Sequence, residues 1–387
     1  MDTSTTIRTF TDFFTAHGHR LIEGSSLIPP DGDPVLFTSA GMHPLTPYLV
    51  GEPHPLGRRL TGVQRCLRTS DLDEIGDTYH LTVFQMLGSW SLGDYDGPQS
   101  LRWGFELLTG GLGLDPVRLH ATVFGGDDQV GPDLEAERTW TELGLPVERL
   151  TEDNWWSNGP AGPCGPDSEI FVWTGDGPPS GTPGTDERWL ELWNHVTLRY
   201  DRLGDGSLRP LRRPSVDTGM GLERLLMVRE GSRSVYETEL FSPWLRIVPR
   251  LWPVSGRSVR LLCDHLRSAV VVTGDGVRPG SGGRGYVLRR LVRRALTDLW
   301  RTDGSRTLSD LPLQLVQHTL DQFGQPGDPG QVRGVLLAEE RKFRDLVSRG
   351  RSVLARLYPD GGLTQDDYRY LHDTHGLPPE LVADLLS

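Results

Sequence analysis

The protein has 387 residues, of which 40 are Lys or Arg and 52 are Asp or Glu, for a formal charge of −12. That balance disfavours wholesale adhesion to nucleic acid or anionic lipid and confines any nucleic-acid contact to a local patch. With 36% hydrophobic residues, including 11 Trp, 11 Phe and 9 Tyr, the chain can fill two cores, the number its length predicts.

Cys66, Cys164 and Cys263 form no CxxC pair, which argues against a disulfide framework and against a cysteine-based zinc site. No apolar run approaches the ~20 residues of a membrane span. The opening MDTSTTIRTF lacks the basic-then-apolar order of a signal peptide, so a cytoplasmic location is expected. Lys342 is the one lysine among the 40 basic residues, and it lies in the charged, helix-like run AEERKFRD. A Walker A loop, a kinase strand lysine and Schiff-base chemistry are therefore unsupported. Phosphate handling, if present, falls to arginine.

In chain order, Ile7, Phe10, Phe13 and Phe14 predict an amphipathic helix capped by Ser4 or Thr5 and ended by Gly18. From Leu27 to about Val254 short strand-like runs alternate with Gly/Pro clusters and a few helices: PVLFTSA, RLHATVFGG, SEIFVWTG and LELWNHVTLRY. The fold class is α+β with a mostly antiparallel sheet. Thr174 to Glu187 is a Gly/Pro-rich loop, and Gly204 to Gly206 suits a hairpin turn. After about Trp252 long helices take over, at Tyr286 to Arg301, Leu313 to Phe323 and Gln331 to Leu357. Between Gly256 and Arg306 eleven Arg oppose four Asp, a local balance of +7. The arginines of the central helix form either a solvated face or a phosphate-backbone contact.

GSGGRG satisfies GxGxxG through Gly280, Gly282 and Gly285, but no βαβ unit surrounds it, so a dinucleotide site is not supported. No serine sits in a GxSxG elbow. His17 and His19 flank a helix end and suit a surface turn better than a metal.

Three segments carry chemistry. RCLRTSDLDEIGDTYHLTVFQMLGSWSLGDY predicts a hairpin with Arg68 at one end and Phe84 with Gln85 at the other, a frame able to clamp phosphate and base. In LELWNHVTLRY, alternation sends Trp193, His195 and Thr197 to one face and Asn194, Val196 and Leu198 to the other. Asn194 is then either a structural hydrogen-bond hub or a ligand contact. In SVDTGMGLERLL, Asp217 precedes a glycine turn that opens a helix holding Arg224, and either caps that helix or faces a ligand.

The order FTSAGM (37–42), RCLR (65–68), FQMLGSWSLGDY (84–95), DNWW (153–156), GPCGPDSEI (162–170), WNHV (193–196), VDTGMGLER (216–224), CDHLRS (263–268) and GRGYVLRR (283–290) resembles the alanyl-tRNA synthetases. The resemblance implies a class II synthetase catalytic domain over 1–252, an antiparallel sheet flanked by helices. A helical domain over 253–387 would follow, similar to the tRNA-recognition region. It implies ATP and Mg2+ as cofactors and L-alanine as substrate, with alanyl-adenylate formed first. Arg68 would hold the α-phosphate, Phe84 would stack on adenine, Gln85 would accept a hydrogen bond where Glu is frequent, and Arg224 would cover the other face of the base and reach the γ-phosphate. Asp217 would pair with the α-ammonium and Asn194 would orient the carboxylate. Met42, Trp156, Val196 and Gly219 would wall a pocket sized for one methyl group, which discriminates against glycine by only about 1–3 kcal/mol.

Besides Gln85 and a hairpin loop after Arg68 that is shorter than in many bacterial relatives and lacks their lysine, the chain departs from the family in two larger respects. No editing or C-terminal domain follows the helical region, so proofreading in cis is not expected. In PGSGGRGY, Ser281 replaces the Asn that in the family helps read the G:U pair of the acceptor stem, while its partner Asp is retained as Asp373. Ser281, Arg284, Arg289, Arg290, Arg293 and Asp373 are the candidate contacts to an acceptor. The leading expectation is alanyl transfer to a non-tRNA small molecule. Charging of tRNA(Ala) is the alternative, and a catalytically silent binding or regulatory protein the third. Oligomeric state is not readable, with a monomer the favoured expectation.

Overall fold

The computed structural model describes residues 2–30, 35–70, 72–358 and 362–386. They divide into two compact units, Met1–Arg246 and Ile247–Ser387.

The first unit is built on a nine-stranded sheet in the order β1-β2-β3-β9-β8-β7-β4-β5, with β6 paired to β7. The strands are β1 (Arg20–Ile22), β2 (Arg59–Leu67), β3 (Val83–Ser91), β4 (Leu119–Phe124), β5 (Val147–Leu150), β6 (Trp155–Ser157), β7 (Gly162–Trp173), β8 (Trp189–Arg202) and β9 (Leu208–Gly221). Pairing is antiparallel except at the two ends, where β1 runs parallel to β2 and β4 to β5. β2 and β3 form the expected hairpin with Leu67 opposite Val83. The GDG segment turns β8 into β9, Arg202 facing Leu208. The PVLFTSA run is an exception: residues 35–40 form bends rather than a strand, and alternation over so short a segment does not supply a pairing partner.

Helices α1 (Thr3–Ala16), α2 (Thr46–Leu49), α3 (Gly97–Glu106), α4 (Leu134–Glu142) and α5 (Leu222–Glu230) complete this unit. The side chain of Asp2, not Ser4 or Thr5, caps α1 by accepting the Thr5 N–H at 2.7 Å. Gly18 takes φ +83° just past its end, the conformation glycine adopts most readily. His19, expected in a surface turn, is instead buried, with Nε2 3.1 Å from the Tyr95 hydroxyl. Phe10 and Phe14 of α1 pack on Trp193, with ring centroids 5.6 and 6.3 Å away. Ser100 of α3 bonds His195 Nδ1 at 2.9 Å. Burial pushes the His195 imidazole down to about 3, so it is a neutral core residue. The Trp193/His195 face of β8 is thus covered by helices, as alternation requires, and the opposite face is left for a cavity.

The second unit is helical: α6 (Ser242–Leu251) runs into it, followed by α7 (Arg257–Gly274), α8 (Gly283–Thr302), α9 (Leu313–Gln322), α10 (Pro329–Leu357), α11 (Gln365–His375) and α12 (Pro379–Leu386). Leu288, Leu291, Val292, Ala295, Leu296 and Leu299 form the buried stripe of α8. No described helix is long and apolar enough to cross a membrane.

Candidate active site

Register across the sheet builds the site. Glu169, Asn194 and Gly219 stand side by side on β7, β8 and β9, and Asp167, Val196 and Asp217 occupy the next row. The first row continues through Gly88 and Gly62 on β3 and β2, the second through Trp90. Side chains two residues apart share a face, so both rows face one way. They do so into a cavity of about 730 Å³ whose walls include Ser39, Arg68, Met86, Trp156, Asp167, Glu169, Glu191, Asn194, Val196, Asp217 and Gly219. An adjoining cleft shares Arg68, Met86, Glu191, Asn194 and Gly219 and adds Tyr79, Phe84, Glu223 and Arg224.

Three glycines in a row leave a trough across the sheet, and two large side chains lie in it. A Cβ on Gly219 would stand 2.7 Å from Met86 Sδ, and one on Gly88 only 2.3 Å from Trp90 Cζ2. Met86 is further fixed by the Gly41 N–H, 3.2 Å from its sulfur. The Trp90 indole N–H donates to Asp217 Oδ1 at 2.7 Å. Asp217 therefore lies in β9 rather than capping α5, whose N-cap is Gly221. Burial lifts its carboxyl from the ordinary 3.8 up to about 7, with the Trp90 hydrogen bond opposing the rise.

Five carboxyl groups line the cavity: Asp153, Asp167, Glu169, Glu191 and Asp217. Burial pushes Asp167 well above the usual range, reinforced by Glu191 and Asp217. Glu169 is raised by burial and then by Asp167 and Glu191. Glu191 goes the other way. Its burial is outweighed by the Arg224 and Arg68 guanidiniums, so it stays ionised. Arg224 Nη1 donates to the Glu191 carbonyl and to its Oε2, both at 3.0 Å, and lies 5.4 Å from the Tyr79 ring. Arg68 donates to the Ser39 carbonyl at 3.3 Å and sits 5.3 Å from the Phe84 ring. The Asn194 amide donates to Glu191 Oε1 at 2.5 Å while its own buried oxygen has no partner among the described residues. The site is a pocket rich in acceptors, suited to an ammonium group, opening to a pair of arginines beside aromatic rings, suited to phosphate and base.

Of the expected nucleotide contacts, Arg68, Phe84 and Arg224 line these spaces. Gln85 lines neither, because alternation along β3 sends Phe84 and Met86 to the cavity face and the Gln85 side chain to the reverse; its backbone N–H bonds Glu223 of the cleft at 3.1 Å. Of the expected alanine contacts, Trp156, Asn194, Val196, Asp217 and Gly219 line the cavity. Met42 does not; it is fully buried behind the wall, in the cluster with Trp90 and Val196, and Met86 supplies the thioether surface instead. Among the described residues no group of three or more His, Cys, Asp or Glu is arranged to hold a metal, and all three cysteines are free and buried.

In the second unit Ser281 and Arg290 are exposed and Arg284 and Arg289 partly so. Arg289 lies 5.2 Å from the Tyr286 ring. Asp373 is exposed and bonds its neighbour His372 at 2.9 Å. Arg293 does not belong with these: it donates to Glu339 of α10 at 2.7 Å, with Glu339 2% exposed, and packs on Phe343. Its position one helical turn from Arg289 places it at the edge of the buried stripe, where charge is neutralised within the unit.

Sequence reasoning missed Met86, Trp90, Asp167, Glu169 and Glu191. Asp167 and Glu169 were within reach, since their i, i+2 spacing in GPDSEI puts both on one strand face. Glu191 was not. It lies three residues from Asn194, which strict alternation assigns to opposite faces, and a bulge at Leu192 restores it to the same side.

A family model described as tRNA synthetases class II (A) matches residues 6–387. The chain is 42% identical over 403 residues to the alanine–tRNA ligase of Treponema pallidum, covering 96% of this chain and 66% of that protein. It is 40% identical over 415 residues to that of Rubrobacter xylanophilus, covering 98% and 46%, and 37% identical over 406 residues to that of Borrelia hermsii, covering 98% and 68%. The chain thus spans between about half and two-thirds of these relatives.

Proposed function

Because the chain belongs to the class II (A) tRNA synthetase family, we propose that it activates L-alanine with ATP and passes the alanyl group to tRNA(Ala). The observation that carries this is the pairing of Asn194 with Gly219 and of Asp217 in the adjoining row, on one cavity wall with Arg68 and next to the cleft lined by Arg224. Asp217 receives the α-ammonium group. Asn194 uses the N–H not bound to Glu191 for the carboxylate. One carboxylate oxygen then attacks the α-phosphorus in line, the α-phosphate bond to pyrophosphate breaks, and Arg68 offsets charge on the α-phosphate. Phe84 and Arg224 bracket the adenine, and Glu191 keeps Arg224 in place. The described residues form no metal cage, so magnesium would arrive on the nucleotide phosphates with one or two carboxylates assisting, which is its usual mode. Bound there, it would offset charge on the phosphates.

Val196, Trp156, Gly219 and Met86 leave room for a small side chain only. The first unit is assigned the activation chemistry and the second, through Ser281, Arg284, Arg289, Arg290 and Asp373, the acceptor end of the tRNA. Ser281 in place of the family's Asn motivates transfer to a small molecule instead. The similarity to alanine–tRNA ligases lends that reading no support and favours tRNA. Alanine-dependent pyrophosphate exchange followed by labelled alanine transfer to total tRNA tests both steps. Exchange without charging would retire the tRNA assignment and leave activation standing.

A further inference from the structure

We infer that Trp90 is a positioning residue for amino-acid binding, orienting the Asp217 carboxylate through its indole N–H toward the substrate ammonium group. The inference rests on the reading of Asp217 just given. Trp90 and Asp217 face each other directly across β3 and β9, and the Nε1–Oδ1 distance is 2.7 Å. Trp90 is 1% exposed and Asp217 6%. Among the described residues this is the hydrogen bond made to the Asp217 side chain, and it engages the single donor of the indole ring.

The surroundings are shaped for this contact. A Cβ on Gly88 would meet the indole at 2.3 Å and one on Gly41 at 2.9 Å, so glycines on two separate segments clear the space that the ring occupies. Without the N–H, Asp217 would face mainly other carboxyl groups: Asp167 and Glu169 from β7, Glu191 from β8, and Asp153, with Arg68 and His43 as the other titratable groups on the wall. Asp167 interacts repulsively with it. The indole is a fixed, uncharged donor that favours the anion without competing for it as a cation would, which leaves the negative charge available to the ammonium group.

The test is alanine-dependent pyrophosphate exchange by the full chain, wild type against Trp90→Phe, from pH 5.5 to 9. Losing one hydrogen bond to a charged group raises the alanine KM about tenfold near pH 6.5. The two proteins converge within about twofold near pH 8.5, where the carboxylate is ionised in both; kcat and the ATP KM are unchanged. Superimposable profiles, or a rise in KM equal at all pH values together with a change in kcat, would overturn the inference. Should the variant fold poorly, the wild-type Trp90 indole N–H resonance answers the question. It titrates with Asp217 if the bond is made, and a pH-independent signal refutes it. Asp217→Asn separates the two levels of argument: exchange retained in that variant sinks the reading of Asp217 itself, whereas an inactive Asp217→Asn beside an unaffected Trp90→Phe sinks the positioning role alone.

Discussion

Asp217→Asn should stabilise the ligand-free first unit above neutral pH while abolishing its chemistry. The carboxyl rises from 3.8 to about 7 because it is buried. A raised folded-state value means the folded protein binds the proton more tightly than the unfolded chain. This group's contribution is therefore most favourable below pH 4, falls as pH climbs from 4 through 7, and is constant above. That shift corresponds to ~4 kcal/mol of destabilisation by the ionised group at pH 8. Asparagine removes the charge and keeps an oxygen for the Trp90 N–H. Nine of the eleven tryptophans lie in the first unit, so fluorescence-detected urea unfolding reports on it. The variant's midpoint should exceed wild type clearly at pH 8 and match it near pH 4. A variant equally stabilised at both, or destabilised at pH 8, would refute the burial argument. Saturating alanine should raise the wild-type midpoint at pH 8 and leave the variant's unmoved.

Gly219→Ala places a Cβ 2.7 Å from Met86 Sδ and should raise the alanine KM in exchange at least about tenfold, a cost expected of overpacking; Met86→Ala in the same chain should recover most of it, and failure to recover would show that the thioether is not what closes the pocket. Arg224→Gln removes the bonds to Glu191 and should raise the ATP KM on the order of ten- to a hundredfold, the range for hydrogen bonds to charged groups, with the alanine KM measured alongside and moving far less. Arg293→Gln strands Glu339 at 2% exposure and should cost the second unit ~3 kcal/mol in urea unfolding followed by circular dichroism, while tRNA affinity and its salt slope stay as in wild type. The opposite holds for Arg284, Arg289 and Arg290 replaced together by Gln: a smaller slope of log affinity against log salt, by about one for each phosphate that the protein no longer neutralises.

Much of this architecture is legible in the sequence for a simple reason. Alternation in LELWNHVTLRY and turn chemistry at GDG are local rules, and in β8 and β9 the tertiary structure agrees with them. The exceptions are residues where a local rule yields to a neighbour. Gln85 follows Phe84 in the motif, yet adjacent strand residues face opposite ways. Met42 is apolar and close to the motif, yet the segment before α2 buries it against Trp90 and Val196, behind the cavity wall. Arg293 reads as part of an arginine cluster on the helix surface until α10, far off in sequence, supplies Glu339. Trp90 and Met86 give no signal as site residues, because their importance depends on glycines in other strands having no side chain there.

The glycine trough also divides the labour of recognition. On the proposed reading, the polar ends of the substrate fall to residues that project straight from the sheet, Asp217 and Asn194, whereas capacity falls to Met86 lying sideways into its neighbour's strand. The two can vary independently. Shortening the side chain at position 86 would enlarge the chamber without disturbing an ionic contact, and this makes Met86 a natural dial for redirecting such a scaffold to bulkier amino acids while the groups that grip the common ammonium and carboxylate ends are left in place.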